Sequence, residues 1–73
     1  MKNITMHTGK LKVLERLKNS ANGNPRYRLY VSGVSFVTKP DSAYSYDVGN
    51  LEGKTVTVSV GTHYGKATLD AFH

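Results

Sequence analysis

GKLKVLERLK, residues 9–18, decides the fold, because two structures fit it. Lys10, Leu11, Lys12 and Val13 alternate polar with apolar, as a half-buried strand does. Leu14 then follows Val13 directly and Leu17 comes three residues later, so Val13, Leu14 and Leu17 would also suit a short helix. Gly9 and the preceding alternation favour the strand, and the broken step is then a β-bulge where the inward parity changes. The stretch reads as one long strand, bent at its middle.

Turn chemistry comes next in the chain and runs into a second strand. In NSANGNPRYRLYVSG, residues 19–33, Asn22-Gly23 tolerates positive φ, and Asn24-Pro25 sets an extended start, since a residue before proline avoids the helical region. Tyr27, Leu29 and Val31 share one face of that strand and are expected in the core; Arg26, Arg28 and Tyr30 share the other. Ser32-Gly33 suits a two-residue hairpin into VSFVTK, where Val34 and Phe36 continue one face and Ser35, Val37 and Lys39 the other. Pro40 ends the pair, because proline cannot donate to a ladder.

Beyond it, DSAYSYDVGNLEG, residues 41–53, offers Asp41 as a helix N-cap and a weak stripe of Tyr44, Val48 and Leu51. One or two helical turns are expected there. KTVTVSV then alternates with Val56, Val58 and Val60 inward, GTHYG is expected as a five-residue loop, and KATLDAF returns with Ala67, Leu69 and Ala71 inward.

Five short strands in 73 residues close most economically into a small antiparallel barrel, which removes exposed edges. The fold class expected is therefore all-β. A long bent first strand and a short helical turn between strands 3 and 4 match an OB-like barrel; the alternative, an SH3-like barrel, would carry its helical turn between strands 4 and 5. The expected domain spans residues 9–73, with residues 1–8 as an extension that can stay disordered until bound.

Length allows one domain with one core. With no cysteine, disulfides and thiolate zinc sites are excluded, leaving packing, a partner or self-association as homo-oligomer to stabilise it. The absence of cysteine also fits a reducing cytoplasm. No apolar run reaches the roughly 20 residues of a membrane span, and MKNITMHTGK lacks the apolar middle of a signal peptide, so no membrane association is expected. Asn3-Ile4-Thr5 matches the glycosylation sequon, which without a secretory signal reads as chance.

Charge carries the functional reading. Residues 1–40 hold Lys2, Lys10, Lys12, Arg16, Lys18, Arg26, Arg28 and Lys39 against Glu15 alone, a balance of +7. Residues 41–73 hold Lys54 and Lys66 against Asp41, Asp47, Glu52 and Asp70, a balance of −2. The outward set Lys10, Lys12, Arg26, Arg28 and Lys39, with Tyr30 among them, is expected to form a basic face on strands 1–3. In OB-folds single strands lie across strands 2 and 3 between two flanking loops, here KNSANGN and GTHYG. Cations would meet phosphates there, while Tyr30, His63 and Tyr64 offer flat surfaces for bases. The same alternation also serves solubility and cross-strand packing with no ligand at all.

Chemistry of other kinds finds little support. His7, His63 and His73 have no partner at metal-ligand spacing, no Ser/His/Asp set sits in a nucleophile elbow, and the glycines build no phosphate cradle. No enzyme activity, metal or cofactor is expected.

The turn Ser20, Asn22, Gly23, Asn24, Pro25, Arg26, Tyr27, followed by Thr38, Asp41, Tyr46 and Asn50, resembles a group of short uncharacterised bacteriophage proteins, notably of phages infecting actinobacteria. That resemblance covers about four-fifths of the chain and implies expression in a bacterial host cytoplasm. It implies a small accessory protein acting by binding. Two partners fit: single-stranded nucleic acid on the basic face or, as the alternative, a host protein. The second would use an apolar anchor such as Tyr30, Val37, Tyr64 or Phe72.

Overall fold

The computed structural model describes residues 4–40, 42–63 and 65–73. Six strands form one mixed sheet: β1 (Thr5–Lys10), β2 (Lys12–Leu17), β3 (Arg26–Val31), β4 (Val34–Val37), β5 (Thr55–His63) and β6 (Lys66–Phe72), in the order β1-β5-β6-β4-β3-β2. Between β4 and β5 lie a 3-10 helix, Ala43–Asp47, and one turn of α-helix, α1 (Val48–Leu51). The fold is small and mostly β.

The expected five strands closed into a barrel are corrected to six strands in an open sheet. The reason lies at Leu11. Its N–H donates to Lys54 O at 3.0 Å and its carbonyl accepts from Gly53 N–H at 2.9 Å, so the first long strand gives up its ladder there and splits. The half before it, β1, pairs antiparallel with β5; the half after it, β2, pairs antiparallel with β3. The two outermost strands are thus consecutive in the chain. Thr5–Thr8, expected ahead of the domain, belong to β1, with Thr5 opposite Val60 and Thr8 opposite Thr57.

The bulge expected within GKLKVLERLK is present. Register shifts between Val13, opposite Leu29, and Glu15, opposite Arg28, which leaves Leu14 as the extra residue, exposed to 52 %. No core position is lost, because an apolar side chain put out of step by a bulge is turned outward with it.

Turn residues set the hairpin geometry. Gly23 has φ +83°, its N–H donates to Ser20 O at 2.9 Å, and Ser20 N–H donates to Asn24 O at 2.9 Å. Ser32 (φ 49°) and Gly33 (φ 84°) are both left-handed and link Val31 to its partner Val34, the two-residue turn that matches strand twist. At the other hairpin the expected five-residue loop is shorter: His63 pairs with Lys66, so only residues 64–65 connect β5 to β6.

Leu11, Leu29, Val31, Phe36, Val48, Val56, Val58, Val60 and Leu69 form the core, with Val13, Tyr27, Val34, Leu51 and Phe72 packed around it. Ala67, expected inward, is exposed; Thr68 is buried beside Leu69 in its place. A shift between Ser59 and Val60 leaves Asp70 unmatched, so the inward parity of β6 changes beyond Leu69, and Phe72 packs against the core.

The helical connector caps one end. Val48 is buried and Leu51 half-buried, while Tyr44 meets Phe72 edge-on at 6.0 Å between ring centroids. Asp41 lies outside the described residues; the cap seen is Ser42, whose Oγ accepts from Tyr44 N–H at 3.2 Å. Tyr46 Oη donates to Asn24 Oδ1, tying the connector to the β2–β3 turn.

Candidate nucleic-acid interface

Opposite residues of an antiparallel pair share a face, so the β2–β3 register fixes which side chains meet. Lys12 stands opposite Tyr30, and its Nζ lies 5.8 Å from the centre of that ring. Glu15 stands opposite Arg28 and accepts from its Nε at 3.2 Å. Leu17 stands opposite Arg26. Lys12, Tyr30, Arg28 and Arg26 therefore share one outward face of β2 and β3.

β4 meets β6 in parallel, with Val37 opposite Thr68 as the register pair. Ahead of that pair β6 begins with Lys66 and Ala67, and these line, with Ser35 and Phe36 of β4, a groove of about 590 Å³. Its lining includes Lys18 from the end of the first long segment, Arg26 and Arg28 from β3, Val37 from β4 and Lys66 from β6. Among the described residues no carboxylate lines it. A second hollow of about 210 Å³ shares Arg26, Val37 and Lys66 with the groove and adds Thr38, Pro40, His63 and Thr68.

Arg26 is held in place at the junction. Its Nε and Nη2 donate to Thr38 O at 3.4 and 3.2 Å, and Thr38 is itself fixed because its N–H donates to Tyr27 O and its Oγ1 accepts from Tyr27 N–H, each at 3.0 Å. Thr38 is completely buried, so this carbonyl depends on the guanidinium for part of its satisfaction. Lys18 and Lys66 are exposed and carry no ion pair among the described residues.

Of the eight side chains singled out in the sequence, the groove and hollow bring together Arg26, Arg28 and His63. Lys12 and Tyr30 lie on the same face but pair with each other. Lys10 sits on β1 opposite Thr55 and does not line the groove. Lys39 turns to β6, its Nζ 3.5 Å from Asp70 Oδ1. Tyr64 lies outside the described residues. Lys18 and Lys66 are the cations that alternation within strands 1–3 overlooked; Lys18 falls in a loop, and Lys66 is brought in by the β4–β6 contact.

A further polar cluster gathers behind Lys39. Ser59 Oγ donates to Asp70 Oδ2 at 3.1 Å and lies 2.9 Å from His73 Nε2. Both contacts converge on a serine only 2 % exposed.

No family model, curated protein or solved structure matches the chain. Among the described residues, no helix is long and apolar enough to cross a membrane.

Proposed function

We propose that this is a small non-enzymatic binding module, of the bacteriophage accessory type, that holds single-stranded nucleic acid in the groove between β3–β4 and the start of β6. The observation that carries it is the convergence of Lys18, Arg26, Arg28 and Lys66 from three separate segments on one groove that, among the described residues, no carboxylate lines. A chain with phosphates at regular intervals is the ligand such a row of cations complements.

The fold supports the same reading. β1 and β2, consecutive through Leu11, are the two edge strands of the open sheet, and the helical segment falls before the last hairpin, the place an OB-like arrangement gives it. Gly9 also passes the β3–β4 turn closely, since a Cβ there would lie 3.2 Å from Ser32 N. In OB-like domains the face of the second and third strands, here β3 and β4, carries single strands.

The competing reading, a host-protein adaptor, asks for an apolar anchor. Tyr30 is half-buried beneath Lys12, and Phe72 is half-buried against Tyr44. The exposed large apolar side chains are divided among three places: Ile4 and Met6 at β1, Leu14 on β2 at the other end of the sheet order, and Tyr44 and Tyr46 on the helical connector. Titration of labelled single-stranded DNA and RNA at low salt tests the proposal. Binding of either that weakens as salt is raised supports it; no binding at tens of micromolar overturns it and leaves the protein partner, sought by pull-down from host lysate with and without nuclease.

A further inference from the structure

We infer that Arg16, a cation outside the groove, positions Lys18 within it, so that Arg16 governs a phosphate contact made by another side chain. The inference rests on the nucleic-acid reading of the groove and adds a positioning residue to it.

Register sets Arg16 apart from the groove cations. It stands opposite Tyr27, between the pairs Leu17–Arg26 and Glu15–Arg28 that share the outward face, and it is not among the residues that line the groove. Its guanidinium lies over the Tyr27 ring, 5.1 Å from the centre. Three hydrogen bonds nevertheless run from it to residues that do line the groove. Nη1 donates to Leu17 O at 2.9 Å and to Arg26 O at 3.2 Å, and Nη2 donates to Asn19 Oδ1 at 2.6 Å. Leu17, Asn19 and Arg26 all belong to the lining.

Lys18 sits between two of these acceptors. β2 ends at Leu17, so Lys18 and Asn19 have no place in the β2–β3 register and gain nothing from its ladder. Arg16 ties this stretch to β3 instead: it takes the carbonyl before Lys18 and the side chain after it, and joins both to the carbonyl of Arg26. A backbone fixed on either side of a long side chain leaves less freedom to lose when that side chain meets a ligand. Arg26 is held by the same clip, its carbonyl by Arg16 and its own guanidinium by Thr38 O.

The arrangement asks for arginine rather than for charge. A planar fork stacked on an aromatic ring serves several acceptors at fixed angles, whereas an ammonium on a flexible stem is a point charge. Lysine at position 16 would therefore keep the charge and lose the clip. If Arg16 met a phosphate directly, lysine could replace it at the same number of neutralised phosphates; if it positions Lys18, lysine cannot.

Salt titration of labelled oligo-dT on the full chain separates the two, with thermal melting as the control. Four contacts give the wild type a slope of about −2.8 and a fall in affinity of about 50-fold between 50 and 200 mM salt. Arg16→Lys is expected to reduce the slope to about −2.1 and the fall to about 18-fold, although the net charge is unchanged. Lys18→Ala is expected to give the same slope, and Arg16→Lys added to Lys18→Ala to change it no further. A purely structural role would lower the melting midpoint without this non-additivity in the slope. A folded Arg16→Lys variant that keeps the wild-type slope, or a double variant that falls to about −1.4, overturns the inference and leaves the groove reading standing. Failure of the wild type to bind removes both. Asn19→Ala cuts the same tether from the acceptor side and carries the test if Arg16→Lys does not fold; an unchanged slope there overturns the inference equally.

Discussion

Replacing Lys18 and Lys66 together with alanine separates the groove from the fold more cleanly than any change to the arginines. Arg26 bonds to the buried Thr38 carbonyl, and removing a charged donor from such a group costs about 1.5–3 kcal/mol, so a loss of binding in Arg26→Ala would be mixed with a loss of stability. Arg28 shares its charge with Glu15. Lys18 and Lys66 are exposed and unpaired among the described residues, and substitutions of that kind usually change stability by less than about 0.5 kcal/mol. Four groove cations on a single strand give a slope of log affinity against log salt of about −2.8, at roughly −0.7 for each phosphate neutralised. Between 50 and 200 mM salt, wild-type affinity should then fall about 50-fold. With two cations left the slope becomes about −1.4 and the fall about sevenfold. Fluorescence anisotropy over that salt range, with thermal melting as the control, reads both numbers. An unchanged slope in a variant that melts like the wild type would refute the groove as the phosphate track.

Three other substitutions probe separate features of the molecule. At Gly23, with φ +83° and no heavy atom within 4 Å of an added Cβ, the obstacle is backbone conformation alone: Gly23→Val should cost about 1–2 kcal/mol and Gly23→Asn clearly less, read from the two melting midpoints. Equal losses would point to crowding instead. Glu15→Gln should leave stability within about 1 kcal/mol, because the pair with Arg28 is largely exposed, yet tighten oligonucleotide binding at low salt by removing an anion beside the groove. That gain should fade as salt rises, and unchanged low-salt affinity would place the strand elsewhere. Leu29→Ala removes a fully buried side chain and should cost about 2–5 kcal/mol by denaturant titration. A loss that large approaches the whole stability of a domain of this length, about 4–11 kcal/mol, so partial unfolding at ambient temperature is part of the expected outcome.

Local pattern carried most of the secondary structure. The bulge after Val13 was visible because Val13 and Leu14 cannot both face a core from one regular strand, and the Ser32-Gly33 turn because only a few residue pairs adopt two successive positive φ values. The split at Leu11 was not visible. Lys10, Leu11 and Lys12 keep perfect alternation, and what ends the ladder is a pair of backbone bonds to Gly53 and Lys54, more than forty residues away. Alternation records which face a side chain takes; it holds no record of which strand accepts the hydrogen bond. The parity change in β6 at Asp70 escaped for the same reason, since the pairing with β5 decides which residue is left unmatched.

The groove divides along the same line. Arg26 and Arg28 could be placed outward from the strand that carries them, because Leu29 and Val31 fix the opposite face as core. Lys39 continues that parity past the end of β4, yet Asp70, 31 residues on, draws it to β6 and out of the basic set. Lys66 makes the opposite journey: it belongs to the acidic half of the sequence, and the parallel contact of Val37 with Thr68 carries it to the groove. A charge count along the chain therefore names the right half and the wrong membership. Lys10, Lys12 and Lys39 do not line the groove while Lys18 and Lys66 join Arg26 and Arg28 there, so the position of the charge shifts from β1–β3 toward the β4–β6 junction. The shift takes the cations away from Tyr30, whose ring meets Lys12, and toward the hollow beside Arg26, whose exposed lining is mainly apolar.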